Sequence, residues 1–464
     1  MGLNVKSIPM LSIVELLGIE HKAPVAGTVD CRCPFCNSSG YKLHVELSEG
    51  MFRCNRCGTN GGKLSLYTLV QYGRPYTKEL RDDVLPKLFA DLGLDNESAS
   101  RYKATVQIPQ STPYTELSDT DMDERMTKIF NLPILALSEK DREKLLKRGL
   151  TEITIQHNKY RSVDYACIRE HIPQLLRHRC KAENWTVIKN ENDVLKKVPM
   201  EQFLCFLTLG EQAKRKGINL IGIPGAFSFS TPKGKVWGLR LYEGILIPIR
   251  NNAGQIVAAQ VRTENADCKY MLLSSRGLQD GRTGKSRIHY PLANHEGKRK
   301  DSDSMVITEG PLKADVYCAL SDHRHKAMAL IGVNSTADLA GEIQANPEIR
   351  QFYDCFDADK LVNMAVMAGV EKIKKTIKEE NRKVSSVYWD TDTAEHTLQK
   401  YLSYAKKEDI PVPELNGNIF HQLAQIAYHF HTSGIKVPKE MTHWAGETKG
   451  IDDYMFTQTH KQTL

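Results

Sequence analysis

The 464-residue sequence has no run of about eighteen apolar residues, the length that a membrane-spanning helix requires. Its N-terminus lacks the basic segment, apolar stretch and small-residue cleavage site of a secretory signal. Internal repeats and low-complexity tracts are also missing. The charge excess is small, with 63 Lys and Arg against 56 Asp and Glu. These absences predict a cytoplasmic globular protein with no membrane partner and with several domains.

Changes in residue composition and pattern along the chain predict five segments. They are a small cysteine-rich domain over 1–72, a polar, partly structured linker over 73–125 with one apolar helix at 84–94, a helical region over 126–218, a basic β-rich segment over 219–300, and an α/β domain over 301–464. The β-rich segment should contain a strand at 219–222 and a hairpin of strands 244–250 and 255–262. The predicted fold class is therefore multidomain, α+β in the first part and α/β in the last.

Five of the eleven cysteines lie between positions 31 and 57. Cys33 and Cys36 form one C-x-x-C knuckle, and Cys54 and Cys57 form a second, with seventeen residues between the two. This spacing is typical of a four-thiolate zinc ribbon, whose closed site gives the metal a structural role. Cys31 is an alternative ligand, although a C-x-C knuckle is less suitable.

Basic and aromatic side chains are interleaved around these knuckles. They are Arg32, Lys42, Arg53, Arg56 and Lys63, with Phe35, Tyr41 and Phe52. Cations neutralise phosphates and aromatic rings stack on bases, so the pattern favours contact with single-stranded nucleic acid. The alternative is a solvated face together with the ribbon's own small core.

β-rich runs alternate with helical patterns in the last segment. The predicted strands are 305–308, 327–331, 352–356 and 384–388. A helix should follow each of the first three strands, and this order is typical of a largely parallel sheet.

Carboxylates stand where the strands of such a sheet end, which is where open α/β sheets hold their sites. Glu309 follows the first strand, Asp357 and Asp359 follow the third, and Asp452 and Asp453 lie near the C-terminus. Five such groups at one edge would repel one another unless cations lie between them, and oxygen ligands suit Mg²⁺ or Mn²⁺. The cluster predicts metal-assisted phosphoryl transfer, whereas each acidic pair alone could be a solvated helix cap.

A second D-x-D pair, Asp390 and Asp392, also follows a plausible strand. The pair at Asp357 and Asp359 is favoured because an amphipathic helix follows it directly. The sequence leaves the second pair open as an alternative metal site.

Several motifs occur in an order that resembles the bacterial replicative primases, and more closely the short zinc-ribbon primases of phages and mobile elements. They are CPFC…FRCNRCGTNGG, GILIPIRNNAGQIVAAQVR…KYMLLSS, TEGPLKAD, FDADK and KGIDDY. The resemblance implies a Toprim-type catalytic domain in which Glu309, Asp357 and Asp359 hold Mg²⁺ or Mn²⁺. Asp452 and Asp453 match further carboxylates of the family.

The resemblance also implies a set of residues that bind nucleotide and template: Arg250, Arg262, Lys269, Tyr270 and Lys313. Lys313 departs from the family pattern, because an acidic residue commonly occupies its place. Arg250 and Arg262 could instead be simple outward residues of the hairpin.

The function that this resemblance implies is that of a DNA primase, a nucleotidyltransferase that makes short RNA primers on single-stranded DNA from ribonucleoside triphosphates. A structural Zn²⁺ and a separate replicative helicase complete the expectation. The alternatives are a Toprim-type metal-dependent nuclease and a non-catalytic replication accessory that binds single-stranded DNA.

Overall fold

The computed structural model describes three successive units of the chain, each with its own buried apolar cluster. We call them the cysteine-rich unit (8–92), the mixed unit (116–295) and the parallel-sheet unit (303–461). The described residues are 5, 8–25, 27–36, 40–73, 76–77, 81–92, 116–181, 185–189, 195–231, 234–264, 269–275, 278–295, 303–321, 324–444 and 446–461.

The cysteine-rich unit is an antiparallel four-stranded sheet covered by helices. Its elements are α1 (Met10–Leu16), β1 (Thr28–Cys31), β2 (Leu43–Glu46), β3 (Met51–Cys54), β4 (Asn60–Gly62), α2 (Lys63–Tyr72) and α3 (Arg81–Asp91). The strands pair in chain order, and Leu43 lies opposite Cys54. Alternating burial along β2 and β3 directs one face of the sheet into the apolar cluster. This pairing brings the two cysteine knuckles together, as their spacing predicts.

The mixed unit combines helices with a second antiparallel sheet. Its elements are α4 (Asp119–Phe130), α5 (Glu139–Leu146), α6 (Glu152–Asn158), β5 (Arg161–Val163), α7 (Tyr165–Arg169), α8 (Gln174–Arg177), β6 (Trp185–Lys189), β7 (Leu195–Pro199), α9 (Met200–Arg215), β8 (Ala226–Thr231), β9 (Gly234–Leu239), β10 (Gly244–Arg250), β11 (Ile256–Arg262) and β12 (Tyr270–Leu272). The sheet has the order β12-β11-β10-β5, and two further hairpins pair β6 with β7 and β8 with β9. The predicted hairpin is confirmed as β10 and β11.

The parallel-sheet unit contains the predicted parallel strands. Its elements are β13 (Ser304–Glu309), α10 (Pro311–Leu320), β14 (Lys326–Leu330), α11 (Leu339–Gln344), β15 (Gln351–Asp354), α12 (Met364–Glu379), β16 (Lys383–Ser386), α13 (Thr391–Lys407), α14 (Ile419–Thr432) and α15 (Ile451–Lys461). All four strands pair in parallel, in the order β14-β13-β15-β16. The predicted fold class is thereby confirmed, because a cysteine-rich ribbon, a mixed helical and β-rich region and a parallel-sheet unit follow one another.

Short 3₁₀ helices complete the described secondary structure. They are Pro133–Leu135, Leu292–His295, Ala358–Leu361 and Lys439–Thr442. No helix in the described ranges is long and apolar enough to cross a membrane.

The mixed and parallel-sheet units share a small apolar core. Ile245 and Ile247 of β10 pack with Leu312 and Val316 of α10 in one buried cluster. The helix that follows β13 is therefore fixed against the mixed unit, and this contact determines where the first carboxylate motif lies.

Two expectations from the sequence differ from the structure. Residues 219–222 do not form a strand, and residues 221–222 lie in a turn. Their neighbours Ile218 and Ile223 are buried in the core of the mixed unit, so the apolar residues there are packed without strand pairing. In addition, the helical region begins earlier than expected, because α4 starts at Asp119 within the segment 73–125. The other helix in that segment, α3, overlaps the helix expected at 84–94.

Candidate active site and metal centre

The four predicted zinc ligands form one cluster. Cys33, Cys36, Cys54 and Cys57 have sulfur atoms that all lie within 4.8 Å of one another. Across the two knuckles, Sγ of Cys33 is 3.7 Å from Sγ of Cys57, and Sγ of Cys36 is 3.8 Å from Sγ of Cys54. A tetrahedral zinc with Zn–S bonds of about 2.3 Å requires S···S edges of about 3.8 Å. The thiols therefore fit a closed zinc site.

Backbone amides support this cluster, and the fifth cysteine stays outside it. The amides of Arg56 and Cys57 both donate to Sγ of Cys54 at 3.4 Å, which is the second-shell support that holds a thiolate in position. Cys31 is fully buried in the ribbon core, and its Sγ lies 3.9 Å from the carbonyl of Val29. Cys31 is therefore not among the candidate zinc ligands.

The basic and aromatic face of the ribbon is only partly available to a ligand. Phe52 is 2% exposed, and its ring lies 6.0 Å from that of Phe35, so Phe52 belongs to the ribbon core rather than to a stacking surface. Arg53 and Arg56 are exposed and line a cleft of about 1360 Å³ that faces the parallel-sheet unit. Across this cleft, the guanidinium of Arg53 donates to the carbonyl of Asn334 at 3.2 Å.

Glu309 stands at the carboxyl end of β13, as predicted. The next residue, Gly310, has φ +92°, a conformation that favours glycine, and its amide donates to the carbonyl of Leu330 on β14 at 2.7 Å. Pro311 then begins α10 with its ring at the first helical position. Burial, reinforced by the charge of Asp357, raises the pKa of the Glu309 carboxyl above its usual value. Glu309 is therefore a desolvated carboxylate that a cation would stabilise.

The second and third acidic motifs meet directly. The amide of Ala358 donates to the carbonyl of Lys449 at 2.9 Å, which ties the FDADK loop to the KGIDDY loop. Lys449 forms an ion pair with Asp359, and its Nζ lies 4.0 Å from Oδ2 of Asp357. The other oxygen of Asp359 accepts a hydrogen bond from the amide of Trp444 at 2.6 Å. Sequence reasoning missed Lys449, although it belongs to one of the quoted motifs.

Lys313 lies among the carboxylates. It projects from the first turn of α10, its side chain is 17% exposed, and its ammonium forms an ion pair with Oδ1 of Asp357. Burial alone would lower the pKa of this ammonium, but the charges of Asp357, Asp452 and Glu309 raise it above its usual value. Lys313 is therefore a fixed positive charge inside the acidic site.

The carboxylates of α15 complete this edge. Asp452 is 1% exposed and forms an ion pair with Arg148, which lies in the turn after α5 in the mixed unit. Gly149, the next residue, lets the chain pass close to Leu320 and Phe456. A Cβ at this position would lie 3.0 Å from side-chain atoms of both residues. Sequence reasoning missed Arg148, and no motif around it signals its role.

Asp453 stands beside Asp452 in the first turn of α15, at the same edge. Its Oδ2 accepts a long hydrogen bond from the amide of Gly450 at 3.4 Å. Burial, together with the charge of Asp452, raises the pKa of the Asp453 carboxyl. Asp453 therefore adds a further desolvated carboxylate to the group.

Asp390, the first member of the alternative acidic pair, has a structural role. Asp390 has φ +61° and is the N-cap of α13, where Oδ1 accepts from the amide of Thr393 at 3.1 Å. Its other oxygen accepts from the hydroxyls of Thr393 and Thr448. Both carboxylate oxygens are therefore engaged in capping and in fixing the loop before KGIDDY, which favours Asp357 and Asp359 as the metal pair.

A groove lined by cations opens beside Arg148. Its volume is about 390 Å³, and we call it the basic groove; it is lined by Lys144, Lys147, Arg148, Arg262, Thr263, Glu264 and Lys269. Two of the predicted nucleic-acid residues, Arg262 and Lys269, therefore lie on one surface, and Tyr270 beside them is 38% exposed. Glu264, the acidic member, already forms ion pairs with Lys140 and Lys144.

Arg250 lies elsewhere. It is 4% exposed, and its guanidinium donates to the carbonyls of Asn158 at 3.1 Å and Gly254 at 3.2 Å. Its backbone amide is 3.2 Å from Nδ1 of the buried His289. In this structure Arg250 connects parts of the mixed unit and is not placed to contact a nucleic acid, because strand β10 is buried on both faces.

Comparisons with known proteins return solved primases. No family model and no curated protein matches the sequence. The Aquifex aeolicus primase, solved with its zinc-binding and RNA polymerase domains, is 16% identical with a TM-score of 0.36, over 95% of this chain and 97% of that one. The E. coli primase catalytic core is 15% identical with a TM-score of 0.36, over 59% and 72%.

A DnaG primase catalytic domain bound to single-stranded DNA is 15% identical with a TM-score of 0.35, over 74% of this chain and 98% of that one. These solved structures are primases, the class of protein that the motifs resemble. At these identities and TM-scores the similarity carries no argument about activity, which has to rest on the geometry of the site.

Proposed function

We propose that this chain is a DNA primase that makes short RNA primers on single-stranded DNA from ribonucleoside triphosphates. The observation that carries the proposal is the ion pair between Arg148 and Asp452. Arg148 lines the basic groove, and Asp452 belongs to the carboxylate edge, so a surface suited to a polyanion adjoins a site suited to phosphoryl transfer.

The basic groove would hold the template strand and the incoming triphosphate. Lys147 and Lys269 are exposed, and Arg262 is half-buried on the same surface. Cations arranged in this way neutralise phosphates without reading sequence, while the half-exposed ring of Tyr270 offers a surface on which a base can stack.

The carboxylate edge fits a divalent cation by its donor chemistry. Glu309, Asp357 and Asp359 offer oxygen ligands of the kind that Mg²⁺ and Mn²⁺ prefer, and Asp452 has a buried oxygen, Oδ1, with no hydrogen-bond partner. Such a cation would supply charge neutralisation for a triphosphate and activation of a 3′-hydroxyl. The chain's own part is to orient the substrate, since Lys313 and Lys449 lie among these oxygens and attract phosphate oxygens.

The cysteine-rich unit would contribute to holding the template. Its four cysteines fit a structural zinc, and its exposed Arg53 and Arg56 face the parallel-sheet unit across the cleft. A single strand in this cleft would meet cations on the ribbon wall and Lys372 and Lys436 on the opposite wall.

The test is a primer-synthesis assay with labelled ribonucleoside triphosphates, Mg²⁺ and single-stranded DNA. We expect short labelled RNA products from the unaltered chain and their loss in Glu309→Gln and Asp357→Asn. Asp390→Asn is the matched control, because asparagine also caps helices and tolerates positive φ, so its synthesis should be unchanged.

The same gel distinguishes the alternatives. A metal-dependent nuclease would shorten the DNA without added nucleotides, and a passive binding protein would yield neither product. Primer synthesis that survives both Glu309→Gln and Asp357→Asn would refute the assignment of the site.

A further inference from the structure

The most unusual feature of the site is a lysine that lies among its carboxylates. Lys313 projects from α10 into the carboxylate edge and contacts Oδ1 of Asp357. Its ammonium is close enough to Asp452 and Glu309 for their charges to stabilise it. It therefore contacts one acidic motif and lies within the field of the other two.

Two further side-chain cations occupy the same edge. Lys449 is paired with Asp359, and Arg148 is paired with Asp452. Among the described residues, the four cysteines are the one group of at least three potential ligands within 4.8 Å of one another. The carboxylates thus do not form a bare acidic cage, because the chain places its own cations between them.

The net charge of these side chains limits how many divalent cations the site can bind. Five carboxylates, on Glu309, Asp357, Asp359, Asp452 and Asp453, face three fixed cations, which leaves two negative charges. Three ligand positions also remain without an ion pair in the described part of the chain. They are the carboxylates of Glu309 and Asp453 and the buried Oδ1 of Asp452, which has no hydrogen-bond partner. One divalent cation would balance this charge, whereas a second would leave the site positively charged.

We propose that the Lys313 ammonium takes the place of one metal ion, so that in the absence of nucleotide the chain binds a single divalent cation at the carboxylate edge. A triphosphate then brings the negative charge that a further cation requires. The proposal rests on the proposed function for its chemistry, but it concerns the number of ions bound rather than catalysis.

The experiment counts Mn²⁺ bound to the full-length, zinc-loaded chain without nucleotide, using the electron paramagnetic resonance signal of free Mn²⁺. We expect one Mn²⁺ per chain, lost in Glu309→Gln. Lys313→Met keeps the size of the side chain but removes its charge, and it should bind Mn²⁺ roughly tenfold more tightly or take up a second ion. Lys313→Arg keeps the positive charge, so this variant should still bind one Mn²⁺ per chain.

The matched control is Lys326→Met, which removes a lysine from the opposite end of the sheet, where Lys326 pairs with Glu348. Its Mn²⁺ binding should equal that of the unaltered chain. Two Mn²⁺ on the unaltered chain would overturn the proposal without any need for a variant to fold. Unchanged binding by a folded Lys313→Met would overturn it as well.

The outcome is separable from that of the primer assay. Primers made by a chain that binds two Mn²⁺ would overturn this inference and leave the proposed function standing. One Mn²⁺ per chain without primers, together with tighter binding in Lys313→Met, would support the inference and refute the function.

Discussion

The ion pair between Arg148 and Asp452 should stabilise the chain as well as join the basic groove to the carboxylate edge. The Asp452 side chain is 1% exposed, and the pair links the mixed unit to α15 of the parallel-sheet unit. Removing one partner of a buried pair leaves an uncompensated charge and typically costs about 3–5 kcal/mol. We expect Arg148→Met to lie near the lower limit, about 3 kcal/mol, because Lys313 still faces Asp452.

The prediction is best measured as a double-mutant cycle. For units of this size, a loss of about 3 kcal/mol corresponds to a fall of roughly 6–12 °C in the melting temperature. Asp452→Leu removes the charge that Arg148→Met leaves unpaired, so the double variant should recover most of the lost stability. Thermal unfolding of the full-length chain, followed by circular dichroism, provides all four corners of the cycle.

The control is Lys147→Met, the neighbouring cation, whose side chain is 79% exposed. It should change stability by no more than about 0.5 kcal/mol. The reasoning would be refuted if Arg148→Met unfolded like this control, or if the double variant were no more stable than Arg148→Met alone.

Two further predictions concern the zinc cluster and a buried carboxyl. Cys54→Ser should lose the single zinc per chain measured by metal analysis, whereas Cys31→Ala should keep it; zinc loss in both would contradict the ligand set. Burial raises the pKa of Glu342, whose Oε2 accepts from the hydroxyl of Tyr290 at 2.9 Å. A raised folded-state pKa means that stability is lost as the pH rises through it. Glu342→Gln keeps the hydrogen-bond acceptor but cannot ionise. Its melting temperature should therefore be higher than that of the unaltered chain at pH 8 and equal to it at about pH 4. The same difference in melting temperature at both pH values would contradict this prediction.

The features that the sequence predicted correctly are those with short-range signals. Cys33 and Cys36 are separated by one tight turn, and the strands between the knuckles need only pair locally. Likewise Glu309 and Asp357 each follow an apolar run that ends where a strand of a parallel sheet should end. Local spacing and apolar runs therefore suffice to place the cluster of four cysteines and the carboxylate edge.

Features that depend on long-range packing could not be predicted in this way. Arg148 and Asp452 are separated by 304 positions, so their pairing depends on how α5 and α15 pack. Phe52 and Arg250 have the residue types of a nucleic-acid surface, yet both are buried, because exposure depends on which face of a strand meets the core. In β10 nearly every residue is buried, so alternation of polar and apolar residues cannot show which face of the strand is exposed.

The charge balance of the site could not be predicted from residue types alone, even though the positions of its carboxylates could. From the sequence, five carboxylates at one edge require cations, and metal ions are the simplest source. The structure supplies three of those charges from Lys313, Lys449 and Arg148, each of which arrives from a different element. Because these charges are permanent, the edge can remain assembled without metal, and under the proposed single-cation site only the binding of a further divalent cation would depend on substrate.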